Sequence, residues 1–149
     1  MSAPRNSRGL LDTNIVILGR WIDPSELPDE MAISAVTLAE LSAGPHLVRG
    51  DDADVRAERA RRSHVVQRAE NEFDPLPFDA EAEAARAYGR ISAAVADVGR
   101  TPRRRVADLM IAAVAAAQGL PLYTTNPSDY LGVEDLVDIV AVHRPALTP

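Results

Sequence analysis

The stretch Gly9-Leu10-Leu11-Asp12-Thr13-Asn14-Ile15-Val16-Ile17 decides the fold. An apolar pair runs into Asp12, two small polar residues follow, and the chain turns apolar again. That is the pattern of a short buried strand delivering a carboxylate to the edge of a sheet. In open α/β sheets ligands sit beyond the carboxyl ends of the strands, so a side chain at this position faces a site by construction. Capping of the next helix is the commoner use of Asp12 or Asn14 in such a segment, since their side chains accept from orphan amides. The segment alone leaves both readings open.

Working outward, similar junctions recur. Met31 to Val36 reads as a second strand and runs into Thr37-Leu38-Ala39-Glu40, a capping-box pattern in which Glu40 would reach back to the amide of Thr37; Gly44-Pro45 closes or kinks that helix. Asp51 to Asn71 is dense in both signs of charge with a thin apolar stripe, the mark of a solvated helix or helical pair. Leu76 to Phe78 is a possible edge strand, because Pro77 cannot donate to a ladder. Ala84, Tyr88, Ile91, Val95 and Val98 recur at three and four residues and predict an amphipathic helix over 80–98.

Thr101-Pro102 begins and Gly119 ends a further helix whose core, Val106 to Ala117, is apolar on every side except at Asp108. A buried, unpaired carboxylate is strongly penalised, so Asp108 needs a cation. Arg104 or Arg105 could pair with it along the helix, yet arginines in a first turn oppose the helix dipole, and something negative nearby is expected to offset them. Leu120 to Thr124 is the next strand, leading into Thr125-Asn126-Pro127-Ser128-Asp129-Tyr130, ordinary turn chemistry by itself; Leu136 to Val142 is the last strand. Alternation of strands and helices makes the sheet parallel, so the strand ends converge.

Composition narrows the chemistry. The 149 residues include no cysteine, and all 16 basic residues are arginine. P-loop and Schiff-base lysine chemistry is thereby excluded, as are disulfides and thiolates. A net charge of −6 argues against broad attraction to nucleic acid, though not against a nuclease with an acidic, metal-holding site. No apolar run approaches the ~20 residues that span a bilayer, which leads us to expect a cytoplasmic protein. His46, His64 and His143 have no triad-like neighbours.

Asp12, Glu40, Asp108 and Asp129 each begin or follow an element at what would be one edge of the sheet. Each alone has an ordinary structural use, but one shared site explains all of them together. Four carboxylates within ~5 Å would repel by roughly 3 kcal/mol per pair and so require protonation or a divalent cation. Oxygen ligands without His or Cys select Mg²⁺ or Mn²⁺.

Leu10-Leu-Asp-Thr-Asn14, Ile33-Ser-Ala-Val-Thr-Leu-Ala-Glu-Leu-Ser-Ala-Gly44, Val106-Ala-Asp-Leu-Met-Ile-Ala-Ala113 and Thr124-Thr-Asn-Pro-Ser-Asp-Tyr130, in that order, closely resemble PIN-domain ribonucleases, and within them the VapC toxins of bacterial toxin-antitoxin pairs. The resemblance runs from about Leu10 to Val142. It implies one α/β domain over residues 1–149, with tails at 1–8 and 144–149, and a parallel sheet of about five strands with helices on both faces. It implies Mg²⁺-dependent (or Mn²⁺-dependent) endonucleolytic cleavage of RNA, with Asp12, Glu40, Asp108 and Asp129 as catalytic, metal-binding acids. Thr13, Asn14, Thr124 and Asn126 would support the site, and Arg103, Arg104 and Arg105 would contact RNA. VapC-like loops often carry Arg at the position of Thr125 and Phe at that of Tyr130; the arginines at 103–105 could supply the missing phosphate contact. The implied partners are RNA, a small VapB-like antitoxin gripped by the helices at 51–71 and after Phe78, and a second copy of the chain. The competing expectation is a non-catalytic PIN scaffold that binds a protein or RNA.

Overall fold

The computed structural model describes residues 8–79 and 82–146. Four strands form one parallel sheet: β1 (Arg8–Leu11), β2 (Glu30–Ala32), β3 (Leu122–Thr124) and β4 (Ile139–Ala141), in the order β2-β1-β3-β4. The helices are α1 (Thr13–Leu18), α2 (Ala35–Leu47), α3 (Ala53–Glu72), α4 (Glu83–Asp97) and α5 (Val106–Gln118).

Successive side chains of a strand point to opposite faces, and the core divides accordingly. Leu10 and Leu122 pack with Ile91, Val95, Leu109 and Val114 of α4 and α5, whereas Leu11 and Tyr123 pack with Ile15, Leu18, Leu41 and Ala69 of α1, α2 and α3. Gly9 is required where it stands, because a Cβ there would collide with the Tyr123 ring. Gly119 ends α5 in the left-handed conformation, φ 64°, as its place in the sequence suggests.

From β1 the chain passes to β2 on one side, and β3 then pairs with β1 on the other. The crevice between the carboxyl ends of β1 and β3 is therefore the topological switch point, where open α/β sheets bind their ligands.

Several expectations are corrected. Among the described residues the sheet has four strands rather than about five, because Leu76 forms only an isolated parallel bridge with Ser34. Leu76 donates to Ile33 O at 2.9 Å and accepts from Ala35 N at 2.8 Å, but Pro75 and Pro77 flank it without amide hydrogens and the ladder cannot extend. The second strand ends at Ala32 and Val36 lies in α2, which begins two residues before Thr37. Ser34, not Thr37, caps that helix, its Oγ accepting from Thr37 N at 3.0 Å. Pro45 lies inside α2, which runs on to Leu47. Thr101 makes no side-chain cap; Pro102–Arg105 form a 3-10 turn that leads into α5. Arg8 belongs to β1 rather than to a tail, while 1–7, 80–81 and 147–149 lie outside the described residues.

Candidate functional site

Asp12 stands one residue past β1, 3% exposed, and fills both roles the sequence left open. Its Oδ1 caps α1 by accepting from Thr13 N at 2.8 Å. Its Oδ2 faces the crevice, where the Thr124 hydroxyl at the end of β3 donates to it at 2.8 Å and Asn14 Nδ2 at 3.4 Å. Asp12 N donates to Tyr123 O at 2.9 Å, so pairing of β1 with β3 fixes this geometry. Burial raises the Asp12 pKa above the ordinary carboxylate range, and the charge of Asp129 adds to that; the donors from Thr124 and Thr13 oppose it.

Glu40 lies exposed on α2. Its expected bond to the Thr37 amide is replaced, since Ser34 already holds that amide. Instead Glu40 Oε1 accepts from the Thr13 hydroxyl at 2.8 Å, which also lies 3.1 Å from the Thr37 hydroxyl. The first turn of α1 is thus tied to the second turn of α2, bringing Glu40 toward Asp12.

Asp108 sits in the first turn of α5, just before the buried run from Leu109. Its pKa is pushed up to about 6, first by burial and then by the charges of Asp12, Asp129 and Glu40, with Arg105 pulling weakly the other way. A helix N-terminus favours an anion, so burial and neighbouring charge outweigh the dipole here. The expected pairing of Arg105 with Asp108 does not dominate, because Arg105 Nη1 bonds Asp129 Oδ1 at 3.0 Å. Asp129 itself lies in the 3-10 turn Pro127–Tyr130 after β3. The turn is braced where Asn126 N donates to Thr124 Oγ1 at 3.0 Å and where Arg100 Nη1 donates to Ser128 O.

The charges of Asp12, Asp129 and Glu40 all bear on Asp108. Their donors are carboxylate and hydroxyl oxygens, the set that suits a hard divalent cation. Such an ion would relieve the repulsion registered at Asp108. As the side chains stand, no three acids or histidines among the described residues are close enough to hold an ion. In this arrangement Asp12 is tied to Thr13 and Thr124, Glu40 to Thr13 and Asp129 to Arg105.

Arg104 is exposed, and the side chain of Arg103 lies outside the described residues. Thr37 and Tyr130 are not among the site residues read from the sequence. Thr37 carries an ordinary capping label there, and nothing local to Tyr130 tells that its side chain is buried beside Asp12. Asp12 and Asp129 follow β1 and β3, while Glu40 and Asp108 lie on α2 and α5. A concavity of about 540 Å³ lies between α2 and α3, against Ser42, His46, Arg59 and Ser63, and its lining includes none of the four acids.

The PIN domain family matches residues 10–131. The chain is 39% identical over 121 residues to Ribonuclease VapC5 of Mycobacterium tuberculosis (strain ATCC 25618 / H37Rv), spanning 79% of this chain and 82% of that protein. Among solved structures it is similar to VapBC-5 from M. tuberculosis, a member of the VapBC family of toxin-antitoxin systems. That likeness has TM-score 0.74 and 31% identity, covering 93% of this chain and 100% of the other. DNA-bound VapBC from Salmonella typhimurium is similar at TM-score 0.61 and 26% identity, covering 90% and 97%.

Proposed function

This chain belongs to the PIN-domain family, and from that premise we propose that it is a metal-dependent endoribonuclease, the toxin of a type II toxin-antitoxin pair that inhibits growth by cleaving RNA. The observation that carries the reading is Asp108, which feels Asp12, Asp129 and Glu40 at the switch point of a parallel sheet in a relative of a ribonuclease. PIN-domain ribonucleases generally use divalent metal ions. We assign Mg²⁺ or Mn²⁺ from the all-oxygen donor set. Asp12, Glu40, Asp108 and Asp129 would hold the ion.

When bound, a divalent ion supplies an activated water and charge neutralisation for displacement at a backbone phosphate. The chain does the rest. Thr124 and the Thr13 amide orient Asp12, the Thr13 hydroxyl orients Glu40, and the Asn126 amide fixes the Thr124 hydroxyl. Asn14 accepts from Thr125 N at 3.4 Å, bracing the start of the loop that carries Asp129. Arg104 and Arg105, with Arg103, lie on the segment that opens α5 and would meet the phosphates.

The partners we assign are an RNA substrate, a VapB-like antitoxin and a second copy of the chain. Solved relatives are VapBC complexes, which supports the antitoxin. No helix of the described residues is long and apolar enough to cross a membrane, in keeping with the bacterial cytoplasmic location we propose. The Arg105–Asp129 pair is the observation that favours a non-catalytic scaffold, since one acid already has its cation.

Induction of the wild-type chain and, separately, of Asp12→Asn and Asp108→Asn decides between the two. Growth arrest with discrete RNA fragments from wild type alone is the expected result. Identical behaviour of all three chains would leave the carboxylates as caps and ion-pair partners, and the scaffold reading would replace the nuclease.

A further inference from the structure

Tyr130 closes the 3-10 turn one residue after Asp129. Its ring belongs to the core shared with α4 and α5 and is 0% exposed. Its hydroxyl is buried as well, yet makes no hydrogen bond of regular geometry. An unpaired buried hydroxyl destabilises a fold, and phenylalanine would fill the same space without one.

The hydroxyl is not in apolar surroundings. It lies against the carboxylate of Asp12 and within the field of Asp108 and Asp129. The other donors to Asp12 come from its own segment, Thr13 and Asn14, and from the end of β3, Thr124. Tyr130 stands on the turn that carries Asp129.

We propose that Tyr130 is a positioning residue, whose buried hydroxyl donates to the Asp12 carboxylate and couples it to the Asp129 turn so that both acids are set for a divalent cation. This rests on the metal reading of the site given above. Partners that orient a ligating carboxylate act on metal affinity, typically by about 10-fold or more when removed. A hydroxyl retained for the core would act on folding instead.

The test is Tyr130→Phe in the full chain, with Mn²⁺ as the probe. Mn²⁺ affinity is measured by titration calorimetry and by loss of the free-ion electron paramagnetic resonance signal, and thermal unfolding is recorded without metal. The expected result is an unchanged or raised unfolding midpoint without metal and Mn²⁺ binding weakened about 10-fold. Equal Mn²⁺ affinity in the two proteins overturns the proposal, whether or not the midpoint moves. If the wild type itself binds no Mn²⁺, the metal reading falls and the proposal with it. Binding by wild type, equalled by Tyr130→Phe, removes only the role of Tyr130.

Discussion

Arg105 Nη1 lies 3.0 Å from Asp129 Oδ1 and 3.3 Å from the carbonyl oxygen of the same residue, so the segment before α5 grips the turn after β3. Their side chains are 26% and 34% exposed, and such a pair contributes ~1 kcal/mol or less to stability. Its larger consequence is for the acids. Arg105→Ala is expected to lower the unfolding midpoint slightly and to tighten Mn²⁺ binding several-fold, because Asp129 loses a competing cation. The same variant should raise KM for RNA. Calorimetry with Mn²⁺ and steady-state cleavage separate the two effects, and weaker Mn²⁺ binding would contradict the competition argument.

Asp108→Asn removes the charge that its neighbours oppose. Without metal it should be more stable than wild type at neutral pH, by ~1 kcal/mol after allowance for partial exposure. Cleavage should fall by about 10²-fold or more, the scale for losing one preorganised electrostatic group. Urea unfolding and single-turnover cleavage measure the two. A loss of stability would mean that Asp108 has a structural partner.

The same group sets a pH dependence. Asp108 has a native pKa of about 6 against an ordinary value of 3.8, so between these values the native state binds more protons than the unfolded one. Stability of the metal-free protein therefore falls as pH rises from about 4 to about 6, and above that the penalty is constant. The raised pKa of Asp12 acts in the same direction. Comparison with Asp108→Asn isolates the contribution, which should be roughly 1 kcal/mol. Saturating Mg²⁺ should abolish it. A metal-free wild type that gains stability over Asp108→Asn across this window would refute the assignment.

Ser34 and Thr13 separate capping from function. Ser34→Ala removes the cap on α2 and should cost about 1 kcal/mol, with cleavage by the folded fraction retained. Thr13→Val deletes the hydroxyl that bridges Thr37 and Glu40. Its stability loss should be similar, about 1 kcal/mol, but with cleavage reduced about 10-fold because Glu40 is released. Equal activity of the two variants would show that Glu40 needs no fixing by Thr13.

Much of this was legible along the chain because it is encoded locally. The apolar pair before Asp12, the three- and four-residue spacing from Ala84 to Val95 and the Gly119 stop each describe a few neighbouring residues, and each element is found where it was read. The errors have local causes of another kind. Ser34 and Thr37 are both good caps, and only the end of β2 at Ala32 selects Ser34. Leu76 has strand character, but the prolines beside it limit pairing to one bridge.

By itself, then, the sequence determined the identity of the acids, the helix and strand periodicities and the absence of lysine and cysteine chemistry. Tertiary structure decided which of these residues meet. The Thr124 hydroxyl reaches Asp12 across 112 positions and Arg105 passes over Asp108 to bond Asp129, 24 positions away. The Tyr130 hydroxyl comes to lie beside Asp12. None of these has a signal in its own segment, since each joins stretches far apart in the chain, and strand order is set by how two faces of core pack rather than by any one stretch of chain.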